Sequence, residues 1–548
     1  MVSRIMRDSE KIYLYFKQRD RGFVISLLVA VCLIYLPFLE SPFFFDDWNF
    51  FKGDSPDYFG TSSFSTSLRW LPYASLGRTW LWVGDIPHLY RLENALIHAT
   101  SAILLFYMLR RLMAAVLPNL QASTVARAAW FGALVFACHP VAVYAVGYVI
   151  QRSILMATMF ALVMQFAYLR GLLSGQNRWL VLAVLAYLLA GFSREHSILL
   201  PVILLAMTIL LRDKNKLETR AQWYAWAAFT FVGVLIILSS NGVLGRPYEV
   251  MSGAIFSQMK INASDNMLHV LSAMTQAGLF FKYLVLWLLP NPAWMSIDMR
   301  EPFVHSLAQW QSWLGVLGFI AYGTLAIWLL LRKHWFGLLG FAMLYSWLLY
   351  LVEFSTIRVQ EPFVLYRSYL WMPGLAVLVS ILLIKLPGRR TMLGFTCIVV
   401  LLIAFSWNRL WVFADSYRLW NDAAVLLPNE QVAGADRVLY NRGNASLSAE
   451  KWSEAIEDLE KVVELSPEIA PVHTALGQAY FGARRYEESI IQFDASLNLQ
   501  QNNPEAYLGK GFSYKRLHKN KLAMLQLIKA CELKNNMACM IVSHLKDK

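Results

Sequence analysis

The chain has 548 residues, of which 57% are apolar and 16% charged, well under the roughly 25% charged residues of an average soluble domain. Its formal charge is +13, yet residues 409–548 hold 17 bases and 17 acids, so the whole excess lies in the first 408 residues. A neutral tail offers no phosphate-binding patch, and positive loops beside apolar runs serve membrane orientation, so nucleic acid is excluded as a partner.

Apolar stretches long enough to cross ~30 Å of hydrocarbon, about 17 to 25 residues each, recur from residue 22 to about residue 406 and then stop. The first, 22–39, follows Lys and Arg residues as a signal peptide does. No small-residue cleavage site precedes the aromatic FFFDDW segment, so it is expected to be retained as the first helix. Further candidate spans lie near 91–109, 128–146, 153–169, 179–193, 197–211, 222–239, 268–290, 311–331, 336–353, 369–385 and 391–406. The expected fold is therefore all-α: a polytopic membrane helix bundle of about 11 to 13 transmembrane helices over residues 1–408, then a separate domain over 409–548.

Charged loops fix the orientation. Residues 1–21, Arg110-Arg111, 170–178, 212–220, Arg332-Lys333 and 385–390 all look cytoplasmic under the positive-inside rule. They demand an odd number of crossings, so one apolar segment between 240 and 331 must be re-entrant, interfacial or missed. The expectation falls on 268–290, because NPAWMSID interrupts it. The tail then lies outside the cytoplasm, and segments 40–90, 139–152, 194–196, 240–267 and 354–368 share the outer face.

An ionised side chain within hydrocarbon costs ~2.5 to 3.5 kcal/mol on insertion scales, so acids and bases at span ends need water, a partner or a function. Several converge on the outer face: Asp46 and Asp47, Asn94 and His98, the stretch HPVAVYAVGYVIQR from His139 to Arg152, the SREH stretch with Arg194 and Glu195, and Arg358 and Arg367. Acids and arginines together suggest a site for an anionic head group, because guanidinium pairs with phosphate through a planar fork of donors. One carboxylate of the Asp46-Asp47 pair would then act as the base, since close like charges raise one pKa of a pair.

Each residue also has a structural reading. The aspartates could cap a helix within an interfacial aromatic belt, His98 could be a satisfied core histidine, and His139 a helix-end cap. Arg194-Glu195 could be a structural ion pair, and Arg358 and Arg367 snorkelling anchors. Asp46 and Asp47 could ligate a divalent cation, but no companion ligand at fixed spacing supports a metal. Cys531 and Cys539 have no metal-ligand partners at zinc spacing, which leaves a disulfide or two thiols.

In the tail, Gly443, Gly477 and Gly511 repeat at 34-residue intervals, and Ala455, Ser489 and Ala523 repeat the small residue twelve positions later. This is the tetratricopeptide spacing, with a degenerate unit at 419–428 before it.

Taken in order, FDDW at 45–48, RWLP at 69–72, ENALIH at 93–98, HPVAVYAVGYVIQR at 139–152, REHSILLP at 194–201, YRSYLWMP at 366–373 and the terminal repeats resemble the GT-C membrane glycosyltransferases. They are most similar to the transmembrane and tetratricopeptide-repeat-containing protein O-mannosyltransferases and their bacterial relatives. The resemblance implies an inverting transfer of a sugar from a polyprenyl-phosphate-linked donor to a hydroxyl of an exported protein, with pilin among the candidate acceptors. It implies Asp46 or Asp47 as base, Arg152, Arg194, Arg358 and Arg367 on the donor phosphate, and Asn94, His98, His139 and Glu195 in support. No cofactor beyond the lipid-linked donor is firmly implied.

The chain departs from the family pattern at Val143-Tyr144, where an acidic residue is usual, at Arg194-Glu195 for Lys-Glu, at Tyr366-Arg367 for Glu-Arg, and at Arg91 for a common histidine. The expected location is a bacterial inner membrane, with site and repeats on the exported side. Transfer to a cell-surface glycan or lipid, and a non-catalytic scaffold recruiting partners through its repeats, are the alternative readings.

Overall fold

A computed structural model describes residues 20–63, 65, 67–240, 256, 264–386, 388–430 and 432–546. No β-strand occurs among them; the chain is a succession of helices. Eight of these helices are long and apolar enough to cross a membrane: Asp20–Phe38, Pro87–Val116, Val149–Ser174, Thr219–Ser239, Asp265–Leu288, Trp310–Leu330, His334–Ser355 and Arg389–Phe413. Ala122–Cys138 and Pro140–Val146 form a ninth candidate bent by 59°, and Arg178–Ser193, Glu195–Leu210 and Pro373–Lys385 are shorter apolar helices.

Helix ends follow local chemistry. Proline carries no backbone N–H and disfavours helical geometry in the residue before it. Accordingly His139 is extended (ψ 130°) before Pro140, and its Nδ1 accepts the Val141 N–H at 3.2 Å, capping the second half of the bent pair. The helix Arg152–Ser174 stops at Gly175, whose φ of +73° suits glycine.

Asp265–Leu288 is one unbroken 24-residue helix that closes on the Leu289 N–H bond to Val285. NPAWMSID therefore follows this helix and does not interrupt it, which removes the ground for choosing 268–290 as the re-entrant, interfacial or missed segment. Most of the outer segment 240–267, and residues 1–19 of the first charged loop, lie outside the described residues.

The chain divides into two units. One comprises Met1–Met295 with Phe303–Ala414, the other Ser296–Pro302 with Asp415–Lys548. In the second, antiparallel pairs Ala435–Ser448 with Trp452–Leu465, Ala470–Gly482 with Tyr486–Leu499, and Pro504–Arg516 with Asn520–Glu532 repeat one design. The periodic glycines explain it. A Cβ at Gly443 would meet Leu459 at 2.8 Å, at Gly477 Phe493 at 2.8 Å, and at Gly511 Leu527 at 3.0 Å. Each glycine admits a large side chain from the partner helix, and around Leu459 the core is closed by Ala455, Ala475, Leu476 and Tyr480. Arg442 clasps buried Asp458 through Nε at 2.7 Å and its terminal nitrogen at 2.6 Å, and Cys531 is bonded to Cys539.

Candidate functional site

The site begins at the turn before the helix Asp46–Phe51. Phe45 adopts φ 52° and ψ −122°, a costly conformation for a side chain with a Cβ. The turn sends the two aspartates in different directions. Asp47 is fully buried, and its carboxylate accepts the Ile150 N–H at 2.8 Å and the Phe44 N–H at 3.5 Å. Asp46 instead lines an open polar cavity of about 390 Å³. Its main-chain N–H donates to the Tyr148 hydroxyl at 2.9 Å, and Asn49 Nδ2 donates to its Oδ1 at 3.1 Å.

The aromatic collar packs inward. Phe43 stacks on Phe51 with ring centres 4.5 Å apart, Phe44 on Tyr148 at 5.2 Å, and of this set only Trp48 is exposed. The collar packs around the turn, with Trp48 at its exposed edge.

Arg69, Arg194, Arg358 and Arg367 line the same cavity, with His196, Glu361, Tyr73 and Tyr366. Glu353, 1% exposed, anchors the basic wall: it lies 3.2 Å from Arg358 Nε, 3.2 Å from an Arg367 terminal nitrogen and 3.1 Å from His196 Nε2. Burial opposes the Arg367 charge, but Glu353, Tyr366, Tyr283 and Glu361 together outweigh it and raise the guanidinium above its ordinary pKa.

Arg69 is ion-paired with Glu195 and, like Phe45, takes a positive φ (62°), so two strained residues flank the cavity. Arg194 is held by neutral partners, Ser153 Oγ at 2.9 Å and Gln151 Oε1 at 3.3 Å, and its Nε is 3.9 Å from Glu195. Its guanidinium lies 5.6 Å from the Tyr366 ring centre. The positive charge with the least local compensation is thus Arg194.

A second cavity, of about 510 Å³, adjoins this one and shares Arg69, His196 and Arg358 with it. Ile198, Leu199, Ile236, Ile237, Leu351 and Val352 make its walls, with Glu195 on its rim.

The structure thus gathers Asp46, Arg194, Arg358 and Arg367 at one site, with Glu195 beside them in the adjoining cavity, and places Asp47, Arg152, Asn94, His98 and His139 elsewhere. Arg152 is buried against Asn94 Oδ1 at 2.9 Å and Glu93 at 2.6 Å. Asn94 also donates toward the carbonyls of Val146 and Val149, at 3.4 and 3.3 Å. His98 sits between the Tyr369 hydroxyl at 2.6 Å and the Ala137 carbonyl at 3.1 Å, and His139 is the cap described above, with Trp287 O at 3.0 Å. These four residues join helices. Among the described residues no group of three or more His, Cys, Asp or Glu side chains is arranged to hold a metal ion.

Arg69 and His196 lie in the RWLP and SREH stretches but were given no role from sequence, and Glu353 was not singled out. Glu353 carried a usable signal, since it is a carboxylate at the end of the apolar run 336–353, where an acid needs a partner.

Asp47 yields a pH prediction. Burial raises its pKa from 3.8 to about 7, against the opposing pull of Arg91 and the two backbone N–H groups. The folded chain then keeps a proton that the unfolded chain loses above pH 3.8. Asp47's contribution to stability is full below that value and is lost as pH rises through about 7. Thermal unfolding between pH 5 and 8 should show this fall in the native chain and a flatter profile in Asp47→Asn.

Residues 436–469 match the tetratricopeptide-repeat family, and the C-terminal unit is a tetratricopeptide-repeat region. Over 101 residues, 18% of this chain, the sequence is 34% identical to the Hsp70-Hsp90 organizing protein of Triticum aestivum, and it spans only 16% of that protein's length. Solved structures of MamA AMB-1 and MamA MSR-1 are each 23% identical with a TM-score of 0.21; they cover 24% and 25% of this chain and 78% of their own chains.

Proposed function

We propose that the chain is an integral membrane glycosyltransferase of the GT-C type, moving a sugar from a polyprenyl-phosphate donor to a hydroxyl of an exported protein. The observation that carries this reading is the pair of joined cavities. A polar chamber lined by Asp46, Glu361 and four arginines adjoins an apolar one, and they share Arg69, His196 and Arg358. A molecule with an anionic head, a polar sugar and a hydrocarbon tail matches that sequence of environments.

In this mechanism the Asp46 carboxylate takes the acceptor hydroxyl proton as the oxygen bonds to the anomeric carbon. The bond from that carbon to the phosphate oxygen breaks on the opposite side, and the electron pair leaves with the polyprenyl phosphate. Arg194 and the Arg358-Arg367 pair stabilise the charge that develops on the leaving phosphate. The configuration at the anomeric carbon inverts in a single displacement.

Tetratricopeptide repeats present protein-binding surfaces, which supports a protein acceptor recruited by the C-terminal unit. The resemblance to bacterial relatives favours a bacterial inner membrane, and the balance of charged loops favours site and repeats on the exported face. The Cys531 bond to Cys539 supports the same placement, because disulfides persist in oxidising compartments.

Mass spectrometry of exported proteins from cells with and without this chain tests the activity and reports sugar mass and acceptor together. For orientation, a periplasm-dependent reporter fused after residue 430 should be active, and activity of a cytoplasm-dependent reporter at that position would refute the placement.

A further inference from the structure

The span Val149–Ser174 meets the Asp46 cavity at one end and a basic cavity at the other. Gln151 lines the first and Leu173 the second. The helix Arg152–Ser174 that separates them runs roughly 30 Å at ~1.5 Å per residue, about one hydrocarbon thickness. The helix Pro87–Val116 brings Arg110 and Arg111 to the basic cavity near its C-terminal end.

This second cavity has a volume of about 650 Å³, and its charged lining is Arg110, Arg111, Lys214 and Lys216 against the single acid Asp20. Asp20 is already ion-paired with Arg110. Among the described residues no carboxylate lies within ion-pair distance of Arg111, Lys214 or Lys216. Arg111 also feels the like charges of Arg170 and Arg110, and its guanidinium lies 5.4 Å from the Phe166 ring centre.

The lysines are built into place. The Lys216 N–H donates to Leu172 O at 2.8 Å, and a Cβ at Gly175 would meet the Lys216 carbonyl at 2.9 Å, so this turn seats against the helix end only with glycine there. Arg111, Lys214 and Lys216, from segments about 100 residues apart and none within ion-pair distance of a described carboxylate, therefore converge on one concavity, whose lining also includes Tyr107, Phe166 and Leu173.

We propose that this cavity binds the phosphate headgroup of an anionic phospholipid on the membrane face opposite Asp46. The inference rests on the reading that these helices span a membrane, but not on the transfer reaction. A lipid is preferred to free phosphate because the cavity lies at the ends of apolar helices and its aromatic and aliphatic walls can take the glycerol and upper acyl chain. Basic pockets between membrane helices recognise such headgroups through charge and hydrogen bonding.

The test is native mass spectrometry of the full chain in detergent, with equimolar phosphatidylglycerol and phosphatidylcholine. The native chain should retain phosphatidylglycerol preferentially, with a loss of about fivefold for each cavity base removed. The variant Arg111→Gln/Lys214→Gln/Lys216→Gln should lose the preference, while Asp46→Asn and the exposed pair Arg389→Gln/Arg390→Gln keep it.

Equal retention of both lipids by the native chain, equal loss in the Arg389/Arg390 variant, or blockage by millimolar inorganic phosphate alone would each overturn the proposal. The native-chain competition decides the matter even where the triple variant does not fold. A chain released from membranes by alkaline carbonate would defeat the membrane reading itself, whereas a carbonate-resistant chain without lipid preference defeats only this inference.

Discussion

Asp46→Asn should lower sugar transfer by a factor of about 10² to 10⁴, the usual contribution of a positioned general base, while membrane insertion and thermal unfolding stay at native values. Asp46 is placed by its main chain, whose N–H bonds Tyr148, so an isosteric amide keeps the helix start and the Asn49 contact while losing the proton acceptor. Intact-mass spectrometry of the acceptor measures the effect. Full glycosylation by a normally inserted Asp46→Asn chain would remove the base from the mechanism and, with it, the main reason for reading the cavity as an active site. Asp47→Asn makes the contrast, because its loss should appear in folding, through the Ile150 and Phe44 N–H groups, before it appears in turnover.

The second large effect is expected at Glu353. Removing one partner of a buried ion pair usually costs about 3 to 5 kcal/mol because the remaining charge is left uncompensated. Here two guanidiniums and an imidazole face one carboxylate that is 1% exposed. Glu353→Ala should therefore lower the thermal unfolding midpoint of the detergent-solubilised chain, and Glu353→Gln, which keeps the hydrogen-bond acceptor, should lower it less. A native-like midpoint in Glu353→Ala would show that Arg358 and Arg367 are satisfied without it.

The sequence revealed the helical class and the repeats because both rest on local rules. Apolar run lengths mark most of the long helices, and the 34-residue glycine period marks the points where Leu459, Phe493 and Leu527 press on a neighbouring helix. His139 before Pro140 was readable as a cap for the same reason.

The site was legible only in part. Adjacent residues share a sequence position but not a direction, and the Phe45 backbone angle separates Asp46 in the cavity from Asp47 in the core. Arg152 and Arg194 look alike as span-end arginines, yet one is absorbed by Asn94 and Glu93, far earlier in the chain, and the other faces the cavity beside Ser153. Spacing cannot report pairings made across the bundle.

The apolar chamber beside the arginines is walled in part by Ile237, which is 45% exposed, so its side is open at a helix surface. On the proposed reading the donor arrives sideways, by diffusion within a two-dimensional film. Turnover would then saturate with the donor's mole fraction among lipids, not with its bulk molarity. Diluting a fixed amount of donor with inert lipid or detergent should slow the reaction even though the bulk concentrations of chain, donor and acceptor are unchanged.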